Sequence, residues 1–426
     1  MSKIFTEKEL RELEIPYSEL ALDALKKGDI EQLKTWIKGM TVPVAGLNAL
    51  TIATIVRNWS KWFRDFGESK TIKMLDKIGD RLMQPFYKRN APNSKEFIED
   101  IISLFKHHTG AEIIPVVELD DTIHLKLTPC GFGGTNLLRK LDQKLPAQYQ
   151  KTAAGIPIEC VSCKSLQKSV NQKLGKDYWT TTIDNKNLGH CKMTFKAEKK
   201  LFNVDELEKA CQIKPVVALN KIANNDFDVA ELIVDQQKEW SLWHDALMMW
   251  TLFTFSGSMK FGGMDYHEQC LKDGYNSAFN VLYNSMEQMN DRERVFALAQ
   301  NWHYHQGKFT IEEEEDRFAF KLDPCGSGGR LFREEMALDF NYGTDFAPIL
   351  KDSHSLTFNR ENFPLYCTHC ASSNLDQFNG KPLIFVVDGH AQMKKGLPCR
   401  QYVWKKEALR KVEKRLLDQV KIINIS

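Results

Sequence analysis

Eight of the ten cysteines in this 426-residue chain fall into two sets with the same order and nearly the same spacing. Each set begins in a Pro-Cys-Gly-x-Gly-Gly run, with Cys130 followed by Gly131, Gly133 and Gly134, and Cys325 followed by Gly326, Gly328 and Gly329. A Cys-x-x-Cys pair comes next, Cys160/Cys163 and Cys367/Cys370. A last cysteine stands before a basic residue, as Cys191-Lys192 and Cys399-Arg400. Thiolates are soft ligands, and four of them close the tetrahedral shell of a structural Zn²⁺. The expectation is two Zn²⁺ sites, Cys130/Cys160/Cys163/Cys191 and Cys325/Cys367/Cys370/Cys399, with an iron–sulfur cluster the less favoured occupant. The main difference in spacing is an insertion around 341–358, which a surface loop absorbs.

Thiol–disulfide exchange is the rival chemistry for a Cys-x-x-Cys pair. A redox pair normally opens a helix in a thioredoxin-like unit, and the helix lowers the first thiol's pKa. The sequence gives neither pair that setting, and redox work needs no further matched cysteines. The glycines let the backbone wrap closely round a metal-bound sulfur and donate N–H groups to it. A phosphate-holding turn is the other reading, but no Gly-Lys-Ser/Thr follows.

Histidines are unevenly shared, seven of the eleven lying beyond residue 204. His244-Asp245 sits in an apolar run with Trp240, Trp243, Trp250, Phe253 and Phe255. A histidine and a carboxylate there suit a general base or a ligand in a pocket, while a core histidine with one partner is the plainer reading. The aligned residues of the first half are Leu47-Asn48, which cannot ionise. His303 and His305 close a helix and precede the second cysteine region, so they join the candidate catalytic list. His267 and Cys270 lie one helical turn apart, a spacing that core packing explains better than a nucleophile pair. His369 and His390 are substitute ligands in the second set. Loss of one thiolate there would open a position for water, whereas four thiolates leave the ion inert. Cys211 reads as buried packing.

The elements that must position these residues also come twice. Apolar residues at three- and four-residue intervals predict helices over 17–38, 47–63, 69–87 and 94–108, capped near Ser94 and stopped near Gly110. The second half repeats this over 204–220, with a break at Pro215, and over 229–255, 267–289 and 291–305, with Gly307 as the stop. Alternating runs then predict strands over 121–127, 178–183 and 191–195, and over 317–322, 383–387 and 399–404. Each Pro-Cys-Gly turn leads into a short helix, 137–141 and 331–338. The fold class expected is α+β, two tandem pseudo-symmetric copies, each a helical half plus a small antiparallel sheet knitted by a four-cysteine metal site. The boundaries are 1–204 (helices 8–108, cysteine-rich half 111–196), 205–405 (helices 205–305, cysteine-rich half 308–405) and a C-terminal amphipathic helix 406–426.

Composition narrows the partners. A formal net charge of +2 gives no field suited to nucleic acid. The uncharged run 40–56 is short for a membrane span and reads as a buried helix. A polar N-terminus and ten cysteines are expected of a reducing, cytoplasmic setting. The functional expectation is a zinc-binding tandem-repeat enzyme, of hydrolase or lyase type, acting on a small, partly apolar molecule. The second copy would carry the pocket through His244, Asp245, His303 and His305. The alternative is a non-catalytic zinc module that binds protein or nucleic acid, with Lys192, Arg330, Arg333 and Arg400 beside the cysteines.

Overall fold

Short polar side chains start the helices where the sequence places them. Thr6, Asp29, Ser94, Asn203 and Asn290 each accept a backbone N–H three residues on, satisfying a donor that has no partner inside the helix. Thr6, Asn203 and Asn290 do so in reciprocal capping boxes with Glu9, Glu206 and Glu293. The structure is a computed structural model and describes residues 3–107, 112–117, 122–131, 133–183, 190–197, 201–333, 346, 348–377, 383–386 and 399–408.

In chain order the first elements are α1 (Glu7–Glu14), α2 (Tyr17–Lys27), α3 (Ile30–Gly39), α4 (Val42–Phe66), α5 (Glu68–Arg89) and α6 (Lys95–Lys106). Then come β1 (Glu112–Val117), β2 (Thr122–Thr128), α7 (Gly133–Leu138), α8 (Leu141–Lys144), α9 (Ile158–Leu174), β3 (Trp179–Ile183) and β4 (Cys191–Lys196). The plan resumes with α10 (Val204–Cys211), α11 (Lys214–Ala223), α12 (Ala230–Cys270), α13 (Ser277–Gln288) and α14 (Asp291–Tyr304). It closes with β5 (Phe309–Glu313), β6 (Arg317–Leu322), α15 (Gly328–Arg333), β7 (Ile349–Leu350), β8 (Phe363–Pro364), α16 (Thr368–Gln377), β9 (Leu383–Val386) and β10 (Cys399–Trp404). The fold is α+β.

Several boundaries differ from expectation for identifiable reasons. Gly28 takes φ +70° and splits the helix expected over 17–38 into α2 and α3. The break expected at Pro215 falls just before it, between α10 and α11. Pro215 sits in the first turn of α11, where its missing N–H costs nothing. In α12 the backbone leaves helical geometry at Gly262 and Gly263, and a π-helical turn over Leu271–Asn276 leads into α13. The expected stop at Gly110 and the helix over 406–426 lie largely outside the described residues. Gln306, at φ +56°, turns the chain after α14 one residue before the expected Gly307. β1, β5 and the long helix α9 have no counterpart among the expected elements.

Among the described residues the strands form two four-stranded antiparallel sheets with matching orders, β1-β2-β4-β3 and β5-β6-β10-β9, and a two-stranded sheet, β7-β8. Ile123, Leu125 and Leu127 of β2 are buried, as are Phe318, Phe320 and Leu322 of β6. Registers match as well, for Leu127 pairs with Cys191 and Leu322 pairs with Cys399. The run 40–56 enters α4, where Ile52, Ile55 and Val56 are buried. Among the described residues no helix is long and apolar enough to cross a membrane.

Two compact units emerge, Leu20–Ala246 and Met1–Glu19 with Leu247–Ser426. In the Leu20–Ala246 unit, α10 lies beside β1 and α6. Lys106, almost fully buried, donates from Nζ to the carbonyls of Ala210 at 3.1 Å and Gln212 at 3.3 Å. Lys95 pairs with Glu206 at 2.8 Å and lies over the Phe202 ring. In the other unit α1 lies beside β5 and α14. There His303 Nε2 donates to the Leu13 carbonyl at 2.8 Å, and Arg292 pairs with Glu9 and covers Phe5. One constant offset relates Phe5 to Phe202, Glu9 to Glu206, Leu13 to Ala210, Lys95 to Arg292 and Lys106 to His303. Each unit therefore clasps a first helix that comes from the other half of the sequence. The expected joint near residue 204 falls inside the Leu20–Ala246 unit, not at its edge.

A buried ion pair also anchors the segment that leads into α1. Glu313 and Lys405 meet at 2.8 Å with both side chains almost fully buried, and Glu313 also accepts the amides of Ile4 and Phe5. Burial pulls the Glu313 carboxyl upward, but Lys405 and those amides outweigh it and hold it below its ordinary value. Its stabilisation is present above the unfolded carboxylate pKa and is lost as pH falls through the lower folded one. Glu313→Gln should cost about 3 kcal/mol, the scale for leaving one buried charge unpaired. Chemical denaturation should show that loss at neutral pH and less of it in acid, and hydrogen exchange should show residues 3–14 loosened.

Candidate metal centres

Both cysteine sets are placed by the same four kinds of element. Cys130 follows β2, Cys160 and Cys163 lie in the opening turns of α9, and Cys191 opens β4. Cys325 follows β6, Cys367 and Cys370 flank the start of α16, and Cys399 opens β10. All eight are reduced thiols, none more than partly exposed. The first set lies wholly in the Leu20–Ala246 unit and the second wholly in the other.

Within each set the thiols act on one another. Cys191 and Cys130 are hydrogen-bonded, which with burial and the charges of Cys130, Cys160 and Cys163 raises the Cys191 thiol. Burial, followed by Cys130, pushes Cys163 up to about 12 and Cys160 well above the ordinary thiol value. Burial and the neighbours Cys370, Cys325 and Cys399 do the same to Cys367, and burial with Cys325 and Cys399 to Cys370. Cys160, Cys163 and Cys191 in one set, and Cys367 and Cys370 in the other, resist ionisation through burial and through their neighbouring thiols, and such a donor set suits a soft divalent cation, which would reverse the local electrostatics. Among the described residues no three His, Cys, Asp or Glu side chains already stand in metal-holding geometry. An ion would therefore draw the sulfurs inward.

The glycine turns are shaped around sulfur and backbone. A Cβ on Gly133 would lie 2.6 Å from Cys160 Sγ. Gly329 N donates to Cys325 Sγ at 3.0 Å, and a Cβ there would crowd Pro324 and the same sulfur. Gly326 is more constrained, since a Cβ on it would stand 1.4 Å from the His305 carbonyl oxygen. The turn leads into α15, and its glycines work here by allowing close approach.

Both Cys-x-x-Cys pairs open helices, α9 and α16. These helix starts are unexpected, although neither pair lies in a thioredoxin-like parallel unit. Apolar Ile158, Val161, Leu166 and Val170 carry the α9 signal, hidden behind the attention that cysteines draw. The redox reading gains nothing from this, because the sheets are antiparallel and the thiols are raised where a redox thiol is lowered.

The candidate catalytic residues are divided between the units. His244 is fully buried, with Nδ1 3.2 Å from Asp245 Oδ1 and Trp240 as a ring neighbour; both residues belong to the Leu20–Ala246 unit. His303 belongs to the other unit and spends its Nε2–H on Leu13, between the Tyr17 and Phe309 rings. Burial lowers His303 to about 4. His305 caps α14, rests near the Trp302 ring and presents its carbonyl to Gly326. Cys270 is buried in α12, and Cys211 at the end of α10 is buried as expected. His390 lies outside the described residues.

Sequence reasoning undervalues His267. Thr368 Oγ1 donates its only proton to the Leu365 carbonyl at 2.7 Å. His267 Nε2, 2.9 Å from the same oxygen, must therefore be the donor in that contact. This fixes the tautomer and leaves Nδ1 as a fully buried lone pair, with no hydrogen-bond partner among the described residues. Only the pairing with Thr368, distant in sequence, shows it.

Comparison with protein-family models, curated proteins and solved structures finds no match to this chain.

Gly326→Ala should destabilise the Met1–Glu19/Leu247–Ser426 unit by about 3 kcal/mol, the upper range for overpacking, because the obstruction is backbone. Gly133→Ala meets a side-chain sulfur and should cost less while still disturbing Cys160. Urea denaturation of the two variants checks the order, and equal losses would count against the close-approach reading.

Proposed function

We propose that this chain is a zinc-binding protein built from two tandem, pseudo-symmetric copies, 1–204 and 205–405. Each copy holds a structural Zn²⁺ through Cys130/Cys160/Cys163/Cys191 or Cys325/Cys367/Cys370/Cys399. The observation that carries this reading is positional. In both sets one cysteine follows the central strand, two open a helix, and one opens the next strand opposite an aligned leucine. Neutral core cysteines have no reason to share that arrangement. When bound, the ion supplies the charge that makes four thiolates favourable together. The matched clasps Lys95–Glu206 and Arg292–Glu9 support the repeat, with each copy's first helix lent to the other copy's sheet.

The protein is further proposed to be an enzyme of hydrolase or lyase type acting on a small, partly apolar molecule. What supports this is that His244, a fully buried imidazole beside Trp240, touches the partly exposed carboxylate of Asp245, a residue pair suited to proton transfer. The zinc ions stand apart from that pair as structural ions, and no step passes through them.

Metal analysis of the full chain tests the first part. Cys130→Ser and Cys325→Ser should each lose one zinc and lower the melting temperature; unchanged zinc in both would remove the four-cysteine model. For the second part, His244→Ala should keep zinc and fold while losing turnover in a hydrolase and lyase substrate screen. Turnover equal to the parent chain would free His244 from any chemical role.

A further inference from the structure

The two cysteine sets differ at one residue whose geometry bears on a metal. Ser162 and His369 hold the same place inside Cys-x-x-Cys. Ser162 Oγ donates to the Glu159 carbonyl at 2.7 Å, and His369 Nδ1 donates to the Tyr366 carbonyl at 2.5 Å. The same backbone clasp, three residues back, is kept by two different side chains. The imidazole has a second nitrogen, and the clasp decides its state. With the proton on Nδ1, Nε2 is a lone pair, and it lies 3.5 Å from Cys370 Sγ.

With Cys370 a thiol, its S–H can donate to this lone pair; with Cys370 a thiolate, the two repel unless a cation sits beside them. Zn–S bonds of about 2.3 Å and Zn–N bonds of about 2.0–2.1 Å at a tetrahedral angle put a sulfur and a nitrogen about 3.5 Å apart. His369 Nε2 thus stands as near to Cys370 Sγ as one ligand position of a zinc ion stands to the next, close enough for either donor to reach the same ion. A ring nitrogen donating to a carbonyl while the other stays bare is also the usual outer-shell arrangement of a metal-bound histidine. Rings pack around it: Tyr275 at 4.8 Å, Tyr366 at 4.9 Å and Phe255 at 6.4 Å. Phe255 also touches His267, whose own Nδ1 is bare and buried.

From this we infer that His369 is a metal ligand in the second set, through Nε2, so that this centre has five donors for four positions. The inference rests on the zinc reading above and deepens it. Cys325, Cys367 and Cys399 are placed by a glycine turn, a helix start and a strand, and His369 and Cys370 compete for the remaining position. Cys370 is the displaceable ligand, because His369 is already oriented by Tyr366. At the matching position the first centre has Ser162, whose hydroxyl cannot replace a thiolate. The second centre can therefore open one position without losing its ion, and His267 Nδ1 supplies a proton acceptor in the same buried region.

Cadmium-113 exchanged into the full-length protein tests this, since its NMR shift separates four-sulfur from three-sulfur, one-nitrogen coordination. One resonance of each type is expected, with His369→Gln moving only the nitrogen-bearing one. Cys370→Ser should keep both metal equivalents, whereas Cys163→Ser should lose one of two. Two four-sulfur resonances, unmoved by His369→Gln, would overturn the inference and leave the zinc reading standing. Failure of the parent chain to take up either ion would overturn both.

Discussion

Four thiols held together in a buried place are the constraint on which each sheet unit is arranged. Burial and neighbouring thiols push Cys160, Cys191 and Cys367 up; as thiolates, the members of a set repel unless a cation lies among them. The surrounding elements serve that meeting point. The central strand delivers one sulfur through a glycine turn with no room for a side chain. A helix start delivers two, and a neighbouring strand delivers the fourth in a fixed register. A metal in such a place would tie helix to sheet across long stretches of sequence, including an insertion that only the second set carries.

The exchanged first helices add a second level of dependence. α1 is clasped by Arg292, His303 and Glu313, and α10 by Lys95 and Lys106. Surface ion pairs of this kind contribute little singly. The carbonyl contacts matter more, because Lys106 and His303 satisfy helix-end oxygens in buried settings. Neither half of the sequence supplies all of the helices that its own sheet packs against. The pattern also shows why His303 reads ambiguously in sequence. Its counterpart is Lys106, and both act as donors to a helix C-terminus, a role invisible without the partner helix.

Much of the fold is legible in one dimension. The cap at Ser94, alternation in β2 and β6, and the matched cysteines all follow local rules of spacing and side-chain type. What escapes depends on contacts distant in sequence. α9 escapes because its cysteines suggest a loop, although Ile158, Val161, Leu166 and Val170 mark a helical face. β1 and β5 escape as short edge strands whose status comes from pairing. The helix exchange needs contacts hundreds of residues apart. The states of His267 and His369 need Thr368 Oγ1 and the Tyr366 carbonyl, since a histidine's tautomer is set by whatever its other nitrogen meets.

The measurement closest to the central claim is zinc K-edge X-ray absorption on protein purified without an affinity metal column. The account predicts zinc in both centres with a sulfur-dominated first shell at about 2.3 Å. Zinc-free protein, a shell dominated by nitrogen and oxygen, or iron in place of zinc would contradict it.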